Sequence, residues 1–394
     1  MATTEAVGGG VVVFAALDGV LPDVPAYAHV LGPADFEVHD VFGMISRGEA
    51  FFRDEALGLL ISPDEISCSD SVSKETHSYL IEDADLFQPD EISAVEHADN
   101  QNGNVLEENF SRWTGRGVDV AVIDDGADST HPCLDISSFS ILGEVGAGSL
   151  SASVHGTKCC GTVAGGWFAG QRIGVAPLAK LHVGQFHGKQ PTISVGVSVS
   201  TVEFILLLSW SVFRGVKVVS FSNGVNPQDV SDQWAEALST VALRLRKTQK
   251  CLIFCAAGNR NLIDVDKPVV FPAGLPGFIP VGGYTADRGV AIASLYTNAL
   301  DSNSLPDLFL GPSNGIKTSV PASRGGHIFA KFRESSAACA YVAGIAALWC
   351  ERLIAESGDV TSLELLLDSM KGHSTLALDP KGRGWTWCVP LLPD

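Results

Sequence analysis

The chain has 394 residues, 46% of them hydrophobic, which is enough for one large globular domain and a smaller one. Its formal net charge of −19 lies entirely in the first 110 residues, where 22 Asp and Glu stand against three Lys and Arg. This acidity excludes nucleic acid as a partner, and the apolar runs are too short and interrupted for a bilayer span, so we expect no membrane partner either.

The acidic N-terminal quarter contains short apolar runs separated by turn residues. They predict strands over 10–17, 58–62 and 78–81 and a helix over 49–60. The polar stretch 96–108 predicts a linker. We therefore expect a small acidic α/β domain over residues 1–95, a linker over 96–110 and the main domain over 111–394.

After the linker, buried strands alternate with helices. Near-continuous apolar runs predict strands over 118–123, 180–185, 216–222, 251–257 and 278–284, and helices over 201–214, 231–246 and 336–353. This alternation predicts an α/β fold with a mainly parallel sheet and helices on both faces. Asp124, Ser222 and Asn259 then fall at or just past the carboxyl ends of strands, where such sheets place their sites.

Four separate motifs carry the side chains that acyl transfer requires. They read VAVIDDG (120–126), HGTKCCGTVAG (155–165), CAAGN (255–259) and ESSAACAYVAG (334–344). The Ser336 hydroxyl needs a base, which His155 supplies, and Asp124 would orient the imidazole. Asn259 would donate its amide to the oxyanion. Each residue has a structural alternative, such as a helix N-cap for Asp124 or Ser336, but the four together favour catalysis.

In this order, the motifs resemble those of the subtilisin-like serine proteases (subtilases, peptidase family S8). GVAP (174–177), VVSFSNG (218–224) and FPAGLPGFIPVGG (271–283) extend the resemblance over about residues 110–372. It implies a subtilisin-like three-layer sandwich and a serine endopeptidase without a cofactor. We expect an intracellular processing enzyme of narrow specificity. The alternatives are a peptide cyclase or ligase of the same fold and an inactive subtilase that serves as a binding module.

The chain departs from the family pattern beside the serine and at a calcium site, among other positions. Glu334-Ser335 stands where Gly-Thr usually precedes the serine, so Glu334 either inhibits the enzyme, contacts a basic substrate residue or faces solvent. Cys133 replaces an aspartate that binds calcium in many secreted members, and the loop 165–173 is short, so we predict no metal at that site. Asp125 is locally similar to the second aspartate of kexin-type members, which recognises basic substrate residues. The HPC sequence (131–133) is locally similar to that of cyanobactin-processing members.

The resemblance also implies a substrate cleft. Its expected members are Ser222, Asn223, Gly224, Ala256, Ala257, Gly258, Val270 and Asp125. Val270 stands where many members have glycine at the base of the pocket for the P1 side chain, which would favour a small or medium P1 residue. Arg260 at the rim would favour an acidic group unless Asp264 and Asp266 neutralise it, so the sequence leaves the P1 preference open. Substrate residues upstream of the scissile bond should pair as an extra strand with residues 195–200. The acidic domain is expected to dock on the protease as inhibitor, chaperone or receptor for a basic peptide.

The cysteines and the N-terminus indicate the compartment. The nine cysteines are odd in number, and Cys159, Cys160, Cys251, Cys255 and Cys339 sit in apolar motif segments that suit buried thiols. No Lys or Arg precedes the first apolar run, which is atypical of a secretory signal. We therefore expect a cytoplasmic protein.

Overall fold

The computed structural model of the chain describes four short stretches of the N-terminal quarter and most of the remaining three quarters. The described residues are 12–16, 52–54, 59–63, 66–68 and 112–393, the last with gaps at 142–149, 151, 187–197, 201–203, 205–206, 209, 213, 231, 260–267, 288–289, 294–306, 323–325, 359–362, 379–383 and 392. The expected linker over 96–110 and the expected strand over 78–81 lie outside these residues.

Short strands outnumber helices in the described part of the chain. The strands are β1 (Val12–Ala16), β2 (Phe52–Asp54), β3 (Leu59–Pro63), β4 (Ile66–Cys68), β5 (Asp119–Asp124), β6 (Ile136–Ile141), β7 (Trp167–Phe168), β8 (Gln171–Arg172), β9 (Lys180–Gln185), β10 (Ser198–Ser200), β11 (Val218–Phe221), β12 (Leu252–Ala256), β13 (Ile279–Asp287), β14 (Val290–Ala293), β15 (Phe309–Pro312), β16 (Ile316–Ser319), β17 (Phe329–Phe332), β18 (Ser374–Leu378) and β19 (Gly384–Pro390). The α-helices are α1 (Val154–Ala164), α2 (Asp232–Arg244), α3 (Glu334–Ser357) and α4 (Leu363–Gly372).

One large sheet organises the protein. Its strands lie in the order β14-β18-β19-β15-β13-β12-β11-β5-β9-β6, and the seven from β15 to β6 pair in parallel. β9 has the expected bounds, and the other four expected strands lie within a few residues of β5, β11, β12 and β13. The prediction of a mainly parallel α/β sheet is confirmed.

The alternation along β5 shows why helices cover both faces of the sheet. Val120 and Val122 belong to one core cluster, together with residues of α1, α3 and α4. Ala121 and Ile123 belong to the opposite cluster, together with residues of α2 and the helical residue Phe204. Since successive side chains of a strand point to opposite faces, one apolar run supplies both cores.

Helix α3 runs through the centre of one core. Among the described residues it is the one helix long and apolar enough to cross a membrane by length and composition, but 83% of its apolar window is buried inside the protein. A helix that is apolar all round is suited to such a core position. The cysteines expected as buried thiols, including Cys339 on α3, are buried and free.

The described stretches of the N-terminal quarter are strands. β1, β3 and β2 form an antiparallel sheet, so the helix expected over 49–60 is wrong at Phe52–Asp54 and at the start of β3. β3 also contacts α2. β4 pairs antiparallel with β10, and Ser67 lies opposite Val199. The acidic quarter therefore meets the segment at which a substrate strand was expected.

A charged network joins α2 to α4. Arg246, two residues after α2, donates to Glu364 through two nitrogens at 3.0 Å and to Asp307 at 2.7 Å. Lys371 donates to the other oxygen of Asp307 at 2.6 Å. Because Asp307 is bonded to two cations and mostly buried, it is the member on which stability should depend most.

Candidate active site

An acid and a base meet where β5 ends and α1 begins. Asp124 is the last residue of β5, and His155 lies in the first turn of α1. The imidazole Nδ1 lies 2.9 Å and 3.1 Å from the two carboxylate oxygens, and both side chains are buried. Gly156 permits this approach, because a Cβ there would lie 1.8 Å from the carbonyl oxygen of Gly126. The close approach of α1 to Gly126 thus explains why glycine follows His155 in the motif.

The charges of this pair stabilise each other. Burial alone would raise the pKa of Asp124, but the charge and hydrogen bond of His155 outweigh it and hold that pKa below its usual value. Burial alone would lower the pKa of His155, but Asp124 more than compensates and holds it above its ordinary value. The pair can therefore keep Asp124 ionised and accept a proton on the imidazole.

Asp125, expected as a substrate-reading residue, is bonded to the start of α1. Its Oδ1 accepts from the Ser153 hydroxyl and, at 3.3 Å, from the backbone N–H of Gly156. Burial and the adjacent charge of Asp124 raise the pKa of Asp125 to about 7. A carboxylate at a helix N-terminus stabilises the helix, so Asp125 positions the turn that holds His155.

Two side chains beside His155 were not singled out as site residues. The Phe332 ring meets the imidazole edge-on at 5.7 Å between centroids, and the Cys159 sulfur lies 3.9 Å from Nδ1. Asp124, His155 and Cys159 have potential ligand atoms within 4.8 Å of one another. Burial, followed by the charge of Asp124, raises the pKa of the Cys159 thiol well above its usual value, and Nδ1 of His155 is already bonded to the Asp124 carboxylate. The group fits an acid–base pair better than a metal centre.

The expected nucleophile lies in the first turn of α3. Ser336 is the third residue of this helix and is partly exposed, and its backbone carbonyl accepts from the Ser222 hydroxyl at 3.3 Å. The helix N-cap is Arg333, so the alternative of Ser336 as an N-cap is wrong. The corresponding alternative for Asp124 is also wrong, since Ser153 is the N-cap of α1. The N–H of Ser336 has no acceptor within the helix, because the first four N–H groups of a helix point outward from its end.

Asn259, just past β12, contacts the same helix end. Its Oδ1 accepts from the backbone N–H of Ser335 at 2.9 Å, and its Nδ2 donates to the Glu334 carboxylate at 2.9 Å. The amide of Asn259 is therefore held beside the residue that precedes Ser336. The sequence did not predict the hydrogen bond between Asn259 and Glu334, although it identified Glu334 as an unusual residue at this position.

Two of the expected pocket residues, Ala257 and Gly224, lie against Val270. Ser222, Asn223 and Gly224 follow β11, and Ala256, Ala257 and Gly258 end or follow β12. The backbone N–H of Val270 donates to the Ala257 carbonyl at 3.2 Å. A Cβ on Gly224 would lie 2.4 Å from Cγ2 of Val270, so the valine packs directly against that wall. That this valine forms the base of the pocket for the P1 side chain stays a prediction.

Comparison with known proteins agrees with this geometry. A family model described as the subtilase family, peptidase S8, matches residues 115–371. An intracellular serine protease of Paenibacillus polymyxa is 29% identical over 286 residues, which are 70% of this chain and 79% of that protein. Subtilisin NAT of Bacillus subtilis subsp. natto is 27% identical over 240 residues, 60% of this chain and 56% of that protein.

Solved structures share the fold. A lanthipeptide protease has a TM-score of 0.57 at 19% identity, covering 73% of this chain and 90% of its own. The prenylagaramide maturation protease PagA has a TM-score of 0.52 at 20% identity, covering 67% and 86%. At such identities the likeness concerns the fold alone.

Proposed function

The chain belongs to the subtilase family of serine proteases, and from this premise we propose that it cleaves peptide bonds with Asp124, His155 and Ser336. The observation that carries the proposal is the buried hydrogen bond between His155 and Asp124, which engages Nδ1 and so makes Nε2 the nitrogen that would act as the base. Asn259, held at the start of α3, supports the assignment of an oxyanion hole beside Ser336.

The chemistry follows from these positions. His155 takes the proton of the Ser336 hydroxyl as the oxygen attacks the substrate carbonyl, and later returns it to the leaving amine. Asp124 stabilises the imidazolium that forms in between. Nδ2 of Asn259 and the N–H of Ser336 donate to the tetrahedral oxyanion, and water then hydrolyses the acyl-enzyme.

A fluorophosphonate probe tests this assignment. It should label the purified chain at Ser336, and Ser336→Ala should abolish labelling while circular dichroism shows an unchanged fold. His155→Ala should slow labelling strongly, because the base is lost. A folded chain that never reacts would instead support a binding module. Peptide products then separate hydrolysis from cyclisation or ligation by their mass.

Substrate range and compartment are the finer parts of the proposal. We propose a processing protease of narrow specificity, because Val270, which packs against Gly224, would fill the base of the pocket and favour a small or medium P1 residue. The names of intracellular serine proteases among the relatives support an intracellular site of action. Profiling on a peptide library, with P1 varied from Ala to Phe, tests the specificity.

We also propose that residues 1–95 regulate access to the cleft. The pairing of β4 with β10 supports this role, because it uses the strand expected to bind substrate. Ser67→Pro should weaken this pairing, since proline lacks the N–H of a strand. Higher activity of that variant on a short neutral peptide would support regulation, and unchanged activity would contradict it.

A further inference from the structure

The Glu334 carboxylate lies at the group proposed to stabilise the oxyanion. Its Oε2 is 2.9 Å from Nδ2 of Asn259, a normal hydrogen-bond distance. Glu334 is also the first residue of α3, two positions before Ser336, and its side chain is exposed. A negative charge therefore sits at the oxyanion amide in the resting protein.

The backbone of Glu334 adopts a conformation that is unfavourable for a residue with a side chain. Its φ is +69°, in the left-handed region that disfavours residues with a Cβ. The N–H of Glu334 donates to the Ser313 carbonyl at 2.8 Å, and the next N–H donates to Asn259. These bonds hold the backbone in place whatever the side chain, and glycine would adopt this conformation without strain. A strained residue beside catalytic machinery points to a function for its side chain.

The Glu334 carboxylate and the oxyanion of the reaction would use the same hydrogen-bond donor. Both are negative oxygens that accept from Nδ2 of Asn259, so they compete for the same donor. If the carboxylate stays nearby, its charge also repels the oxyanion as it forms. A neutral substrate has no group that draws the carboxylate away, whereas a cationic side chain near the scissile bond can pair with it.

We propose that Glu334 determines specificity by closing the oxyanion hole until a positively charged substrate residue near the scissile bond withdraws its carboxylate. The inference rests on the proposed function of Asn259 and Ser336. The charge of the N-terminal quarter supports it independently, because an excess of acidic residues attracts the same class of basic peptide.

Three variants of the full chain test the proposal. Glu334→Gln keeps the side chain's size and removes its charge, and Glu334→Gly removes the side chain and its backbone strain. Glu356→Gln is the matched control, because Glu356 is an exposed carboxylate on the last turn of the same helix, paired with Arg352. Each is assayed with two fluorogenic peptides that differ only by lysine or norleucine at one position, scanned from P2 to P2′.

At one of these positions the wild type should prefer lysine by about tenfold or more in kcat/KM, as expected from one short-range charge interaction. Glu334→Gln and Glu334→Gly should reduce the preference to about threefold or less, chiefly by raising kcat/KM for the norleucine peptide. Glu356→Gln should keep the wild-type preference. Equal rates for wild type and both Glu334 variants on the neutral peptide would overturn the proposal.

The labelling rate with a neutral fluorophosphonate separates this inference from the proposed function. Its phosphonyl oxygen occupies the oxyanion hole, so Glu334→Gln should label about tenfold faster than wild type. In an Asn259→Ala background the gain should shrink, because the amide over which the groups compete is gone. Labelling at the same rate in wild type and Glu334→Gln would reject the role of Glu334 alone. Absence of labelling in every chain would reject both proposals.

Discussion

Replacing Asp125 with asparagine should shift the pH dependence of catalysis to lower pH. Asparagine keeps an oxygen for the Ser153 hydroxyl and the Gly156 N–H, so the start of α1 should keep its geometry. The charge is lost, and that charge raises the pKa of His155. The acid limb of kcat/KM reports this pKa, because only the neutral imidazole can act as base.

The size of the shift follows from the charge of Asp125. A unit charge at short range and an effective dielectric constant near 20 is worth about 1–3 kcal/mol, and one pKa unit is about 1.4 kcal/mol. Asp125 itself has a pKa of about 7 and is only partly ionised where His155 titrates. We therefore expect a downward shift of about 0.5–1 unit.

The assay is kcat/KM against pH with a neutral ester substrate. Asp128→Asn is the control. Asp128 lies on the same loop, but its carboxylate accepts hydrogen bonds from Thr130 instead of from α1. Its acid limb should match that of the wild type. An Asp125→Asn profile that stays in place or moves to higher pH would refute the electrostatic coupling of Asp125 to His155.

Three further predictions concern the oxyanion hole, the pocket and stability. Asn259→Ala should lower kcat by about 10²–10³, a magnitude known from a member of this family, with little change in KM, as steady-state kinetics would show. Val270→Ala should enlarge the pocket beside Gly224 and shift P1 preference toward larger side chains by about tenfold, measured on paired peptides. Asp307→Asn should lower the free energy of unfolding by about 1–2 kcal/mol at pH 7 in urea titrations. Burial would raise the pKa of Asp307, but its two cationic partners outweigh it and lower that pKa, so this contribution exists above about pH 4 and should be lost as the pH falls through the folded-state pKa.

The parallel core of the fold was predictable and its extensions were not. Strands such as β5 and β9 are buried on both faces, so they appear as continuous apolar runs ended by polar residues. The added strands β14, β18 and β19 join the sheet through pairings between distant segments, Ile292 with Leu378 and Phe309 with Cys388. The wrong helix over 49–60 has the same origin, because a short apolar run suits either structure until its pairing partner is known.

The roles of the site residues stay predictions, and of their hydrogen bonds the sequence predicted only the one between Asp124 and His155. Motifs assign roles to Asp124, His155 and Asn259 because each role requires a particular side-chain chemistry. The bond between Asn259 and Glu334 joins residues 75 positions apart and depends on side-chain direction. The capping of α1 by Asp125 similarly depends on how the turn of Ser153 meets β5.

Two carboxylates thus lie near the two groups that become charged in the proposed reaction. Asp125 is near His155, which becomes positive as the bond is cleaved, whereas Glu334 is near the oxygen that becomes negative. Since like charges repel and opposite charges attract, ionised Asp125 should favour the transition state and Glu334 should oppose it for neutral substrates. Asp125→Asn should therefore slow, and Glu334→Gln accelerate, cleavage of the same neutral peptide above pH 8. Because each acts on a different reacting group, the effects in the double variant should be close to additive, and strong non-additivity would show that the two carboxylates act through one shared element.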